Sequence, residues 1–157
     1  MILNYCGARG QKVVDFLADI MGDSVLSLSE AKERGIRKLF SSNAYILVVP
    51  LCGGLAPTIL EDIKSTVFCG SKILYLLFLT SSETAARAAA AKIISAADFV
   101  LFGYESINSN KAGSITAAEY ARLRCFSEYV RCYRPLDAKK DILFPVRFYR
   151  MKLVPLP

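Results

Sequence analysis

Ala44-Tyr45-Ile46-Leu47-Val48-Val49-Pro50-Leu51-Cys52-Gly53-Gly54-Leu55-Ala56-Pro57 is the stretch on which the fold turns. Ala44–Val49 is a continuous apolar run of strand length. A strand half exposed to water alternates apolar with polar side chains, so an unbroken run predicts a strand covered on both faces. The run stops at Pro50, which has no N–H to give a sheet. Pro57 suits the first turn of a helix running from Thr58 to about Val67.

The same pattern recurs outward from this centre. Lys72–Leu79 is a second buried strand, rich in Ile, Leu, Tyr and Phe, and Phe99–Phe102 is a short third. Upstream, the strand Ile2–Tyr5 ends in Cys6-Gly7-Ala8-Arg9-Gly10. Val13, Val14, Phe16, Leu17, Ile20 and Met21 then recur at helical spacing, and Gly22 closes that helix. Ser24–Leu28 is a brief strand, and Ser27-Leu28-Ser29-Glu30 reads as a capping box opening a helix to about Phe40. Two further boxes, Thr80-Ser81-Ser82-Glu83 and Thr116-Ala117-Ala118-Glu119, open helices over 83–97 and up to about Tyr133. A polar loop, Gly103–Ser114, separates the second of these helices from the last strand.

Strand alternating with helix five times, with apolar central strands, predicts an α/β domain over residues 1–133. Its form is a three-layer, doubly wound, parallel five-stranded sheet of order 2-1-3-4-5. Ligands of such sheets sit beyond the C-terminal strand ends, where the winding direction switches. For this order that point lies between the first and third strands, so the loops to read are 6–12 and 50–57, with 80–82 beside them.

Composition narrows the chemistry. The 157 residues are 54% hydrophobic and 22% charged, enough apolar material for one real core and too much for disorder. The longest apolar run, near Ile73–Leu79, falls far short of the ~20 residues that cross a bilayer. The opening residues lack the basic n-region and long apolar segment of a signal peptide, and the expectation is a cytoplasmic protein with no membrane segment. Five cysteines (Cys6, Cys52, Cys69, Cys125, Cys132) without a C-x-x-C pair argue against a disulfide framework and a structural zinc site. Cys125 and Cys132, seven apart on one helix face, read as buried apolar thiols. There is no histidine, which removes histidine triads, the commonest general base and the commonest transition-metal ligand. Chemistry here is therefore expected to be carried by a cofactor.

The first loop, Gly7-Ala8-Arg9-Gly10-Gln11-Lys12, places two glycines, a helix N-terminus and two cations together. It reads equally as a phosphate cradle and as an ordinary tight strand–helix turn. The second loop is more specific. Val49-Pro50-Leu51-Cys52-Gly53-Gly54-Leu55-Ala56-Pro57, with the helix after it, resembles the segment of flavodoxin-like proteins and NAD(P)H-dependent FMN reductases that lies against the flavin ring. Gly7-Ala8-Arg9 is similar to that family's Gly-Ser-x-Arg phosphate loop, and the β–α order matches over roughly residues 1–133. The resemblance implies a flavodoxin-like fold and FMN as cofactor. Its phosphate would lie at Gly7, Ala8, Arg9, Gly10, Gln11 and Lys12, and its ring at Pro50, Leu51, Cys52, Gly53 and Gly54. Thr80, Ser81 and Ser82 would border the ring's polar edge, besides capping their helix. Ala8 stands where the family carries a hydroxyl, Cys52 where it carries a tyrosine, and no tryptophan is present. Tyr104 or an aromatic of a partner subunit is left to stack on the ring.

Function follows as an expectation: an FMN-binding oxidoreductase passing reducing equivalents from NAD(P)H to a flavin, quinone or similar acceptor. A flavin-free binding or assembly module on the same fold is the alternative. A flavodoxin-type electron carrier is the third reading, and the net charge of +6 counts against it, since such carriers are acidic. That charge is concentrated. From Ile115 to Pro157 nine basic residues face four acidic ones, leaving little on the other 114. The tail 134–157 is basic, extended and interleaved with aromatics, and Pro145 keeps it out of a sheet interior. With no nucleic-acid module beside it, the reading is a strap on its own domain or a partner subunit of a homodimer, with Phe144, Val146 and Phe148 inward. Arg147 and Arg150 are then expected near the flavin entrance.

Overall fold

A computed structural model describes residues 1–27, 30, 38–39, 44–65, 67–68, 73–96, 100–108 and 114–132. Five parallel strands form one sheet: β1 (Ile2–Asn4), β2 (Val25–Ser27), β3 (Ala44–Pro50), β4 (Ile73–Leu79) and β5 (Val100–Ile107). Their order is β2-β1-β3-β4-β5, the flavodoxin-like 2-1-3-4-5 arrangement. Around them lie α1 (Gln11–Met21), α2 (Pro57–Ser65), α3 (Glu83–Ala96) and α4 (Ala117–Cys132). The expected helix to Phe40 is overturned at its end, because Lys38–Leu39 is a strand paired with Val67–Phe68; residues 31–37 and 40 and the tail 134–157 fall outside the described residues.

The apolar run of β3 is explained by what covers it. Ile46 and Val48 join a core with Val13, Val14 and Leu17 of α1 and with Leu123, Phe126 and Val130 of α4. Tyr45, Leu47 and Val49 point the other way, onto Ile63 of α2 and Ala86, Ala89, Ala90 and Ile93 of α3. Period-two alternation thus splits one strand between two cores, and neither face meets water. Each fully buried large side chain, Phe126 among them, contributes roughly 1.5–3 kcal/mol. The alanines of α3 let its axis come close to the sheet, as their small volume and high helix propensity permit.

Several boundaries move for physical reasons. β5 runs on to Ile107, so Gly103–Ile107, expected within a polar loop, is a buried strand. Its charged member, Glu105, is tolerated because Arg122 of α4 reaches it at 2.5 Å. α2 ends at Ser65 rather than Val67, and Val67–Phe68 instead pairs in parallel with Lys38–Leu39. At α3 the cap is Ser82, not Thr80. The Ser82 hydroxyl accepts from the Ala85 N–H at 3.2 Å, and Thr80 Oγ1 accepts from the Ser82 N–H at 3.1 Å. The Ser27/Glu30 box is reciprocal as expected, with Glu30 N–H donating to Ser27 Oγ and Ser27 N–H to Glu30 Oε2. Thr116 Oγ1 likewise accepts from Glu119 N–H. Cys125 is exposed, not buried. The face of α4 turned inward carries Leu123, Phe126 and Val130, and Cys125 lies off that stripe. Among the described residues, no helix is long and apolar enough to cross a membrane.

Candidate functional site

Because β1 and β3 are hydrogen-bonded neighbours, their C-terminal ends deliver the first and second loops side by side. β1 ends at Asn4, whose buried side chain braces the turn after it. Cys6 N–H donates to Asn4 Oδ1 at 2.9 Å, and Asn4 Nδ2 donates to Gly7 O at 3.4 Å. An Asn bonding backbone two residues on is an Asx turn, which sends the chain directly into a helix. Gly7–Gly10 is one turn of 3-10 helix running into α1, and Gly7 holds φ +56°, where a side chain is disfavoured. The amides opening such a turn have no acceptor within it.

Gly7, Ala8, Arg9, Gln11 and Lys12 are exposed, whereas Gly10 is buried. Gln11 Nε2 donates to Asp15 Oδ1 at 2.7 Å along the outer surface of α1. Gly10 has a reason to lack a side chain that differs from the expected one. A Cβ there would lie 2.5 Å from Cys6 Cβ and 3.4 Å from Leu79 Cδ1. It would strike the protein's own interior rather than fill space for an anion, so the residue serves close packing of the turn before α1 on Cys6 and the end of β4.

The second loop meets the first at a side-chain contact. Arg9 Nη1 donates to Cys52 Sγ at 3.1 Å, across 43 positions of sequence. Leu51 is buried, held by its N–H donating to Leu79 O at 3.2 Å, while Cys52 and Gly53 are exposed. Gly53 and Gly54 take φ +74° and +143°, and a Cβ on either would meet nothing within 4 Å. Their conformation, not crowding, demands glycine. With Pro50, Leu55, Ala56, Pro57 and Ile59, these residues line an open cavity of about 300 Å³. Thr80, half-buried, closes the row: its N–H donates to Ile107 O at 2.9 Å, and Ser81 and Ser82 beside it are exposed.

Cys6 lies beneath the loops. Its Sγ donates to Val48 O on β3 at 3.4 Å. Burial pushes its thiol up to about 12; Arg9 acts weakly to lower it and the sulfur of Cys52 to raise it. Tyr104, expected as an aromatic for a ring, is instead a core residue, 3% exposed and edge-on to Phe78 at 6.2 Å between centroids. β5 runs through Tyr104 rather than ending before it, which buries the ring. A hydrogen bond to the same phenol holds the Arg87 guanidinium pKa up. Asn4 and Cys6 escaped the sequence reading. An Asn closing a strand just before a glycine turn was the available signal for the first.

No family model and no curated protein matches the chain. Among solved structures, rubredoxin oxygen:oxidoreductase from Desulfovibrio gigas is similar at 14% identity with a TM-score of 0.46. The match covers 91% of this chain, which spans 36% of that protein's length.

Proposed function

We propose that the C-terminal edge of the sheet binds flavin mononucleotide, and that the chain is a flavin-dependent oxidoreductase. The observation that carries this reading is the Arg9–Cys52 contact, which joins a cationic helix-opening turn to an open glycine loop at the switch point. The donor set suits the two ends of FMN. Opening amides, Arg9 and Lys12 match a phosphate dianion. The bare backbone of Gly53-Gly54 and the apolar Leu55 and Ile59 suit the edge of a flat ring. At about 300 Å³ the cavity sits at the lower end of small-molecule sites, so it takes part of a ring and leaves the remainder open to a second reactant.

When bound, FMN supplies hydride and electron chemistry, with NAD(P)H as donor and a flavin, quinone or similar small molecule as acceptor. The chain's own contribution is binding and orientation: Arg9 must leave Cys52 to meet the phosphate, and Thr80 Oγ1 and Ser81 offer hydrogen bonds at the polar edge. In the same reading the tail 134–157 borders the site in a homodimer.

Fluorescence titration with FMN and with riboflavin, which lacks the phosphate, tests the assignment. FMN should bind more tightly than riboflavin, and Arg9→Ala should erase much of that preference. One lost charge-assisted hydrogen bond, worth about 1.5–3 kcal/mol, corresponds to roughly ten- to hundredfold. Equal affinity for the two flavins would move the phosphate elsewhere. Binding of neither would favour the flavin-free module, a reading that the burial of Tyr104 supports.

A further inference from the structure

We propose that Cys52 and Cys6 form a redox-active thiol pair: a peroxide oxidises Cys52, and Cys6 then resolves it as an intrachain disulfide joining the loop after β3 to the end of β1. This does not depend on a flavin. The two residues follow neighbouring parallel strands at the same end of the sheet. Their exposures divide the labour. Cys52 is exposed on the cavity wall with Arg9 Nη1 donating to its sulfur, as an attacking thiol requires. Cys6 is half-buried and so less open to oxidant than Cys52, and its Sγ is turned towards β3 through the bond to Val48 O.

Arg9 links the two positions: it stands three residues after Cys6 on the same turn, and its Nη1 donates to Cys52 Sγ at 3.1 Å. Movement is provided for on the Cys52 side. Gly53 and Gly54 follow it in glycine-favoured conformations, and no atom lies within 4 Å of where either would carry a Cβ, so the backbone after Cys52 is unconfined by side chains of its own.

The chemistry balances in two steps. The Cys52 thiolate attacks the peroxide, the O–O bond breaks, and an alcohol or water leaves, giving a sulfenic acid. The Cys6 sulfur then forms the S–S bond as the S–OH bond breaks, its thiol proton and the hydroxyl leaving as water. The peroxide is the oxidant; two thiols are oxidised and one peroxide bond is reduced. Cys6 is the slow partner, because burial keeps it protonated. The titratable and charged groups that act on it are Arg9 and Cys52. Condensation should therefore quicken about tenfold per pH unit between pH 7 and 10, following the thiolate fraction of Cys6.

The experiment treats the full chain with hydrogen peroxide and maps peptides by mass spectrometry without reductant. The expected product has lost two hydrogens and carries a Cys6–Cys52 crosslink that a thiol reductant reverses. In Cys6→Ser the crosslink should vanish, and a dimedone adduct should accumulate several-fold at Cys52. Further oxidation of Cys52 in the wild type without crosslink, or crosslinking of Cys52 to another cysteine, overturns the proposal. A rate of condensation indifferent to pH assigns resolution to another group and also overturns it. If Cys6→Ser disturbs packing against Gly10, the wild-type map and its pH series decide the matter.

Discussion

Replacing Arg122 with methionine should destabilise the protein by about 3 kcal/mol, and the reason lies in one buried carboxylate. Glu105 is 1% exposed within β5. Its Oε1 accepts from Arg122 Nη2 at 2.5 Å and from the Ser106 N–H at 2.9 Å. Arg122 also bonds Glu119 through Nη1 at 3.4 Å, one turn before it on α4. Removing one partner of a buried pair leaves the other's charge desolvated, which costs roughly 3–5 kcal/mol. Two features place this site at the low end. The arginine side chain is 17% exposed, and its Nε is buried without a hydrogen-bond partner among the described residues, so methionine removes that burden too. A loss of about 3 kcal/mol lowers the melting temperature by roughly 6–12 °C in a chain of this size. In urea it moves the midpoint by about 1.5 M at a slope near 2 kcal/mol per M. Urea unfolding followed by far-ultraviolet circular dichroism reads it directly. The double variant Arg122→Met with Glu105→Leu should return close to wild type, because apolar groups of similar volume replace a buried pair at little cost. A loss below about 1 kcal/mol in Arg122→Met would refute the reasoning, for it would mean that water reaches Glu105.

Alkaline stability depends on Cys6. Its folded thiol is held at about 12 against an ordinary 9.0, so its contribution is complete below pH 9 and is lost as pH rises towards 12. Over that window unfolding becomes easier by about 1.4 kcal/mol per pH unit, and Cys6→Ala should lack that slope. Gly54→Ala should cost about 1–3 kcal/mol through backbone strain at φ +143°, with no steric clash to relieve; a melting temperature unchanged from wild type contradicts that conformation. Gly10→Ala should cost about 1–3 kcal/mol by overpacking against Cys6. A Gly10→Ala protein that keeps full stability but loses flavin affinity would return the residue to the ligand side.

How far the sequence reaches can be argued from single elements. An unbroken apolar run such as Tyr45–Val49 has one physical solution in a domain of this size, a central strand with a helical layer on each face. Strands and helices alternating in series around such runs then order the sheet, so fold and switch point were legible. Caps were legible where the hydroxyl and the carboxylate stand three apart, as in Ser27 and Glu30. Thr80 failed because a second hydroxyl, Ser82, competes for the same amides, and sequence spacing cannot say which side chain points at them.

What only the tertiary structure decided depends on contacts between residues distant in sequence. Glu105 reads as a loop residue until Arg122, seventeen positions on, neutralises it inside a strand. Tyr104 then follows it into the core, and the expected ring partner disappears. Gly10 is explained by Cys6 and Leu79 beneath it, and Arg9 by Cys52 across the sheet. Periodicity and caps are local energies and are written along the chain. The burial of a charge, the room for a Cβ and the partner of a guanidinium are set by what folding brings near, and no local pattern encodes them.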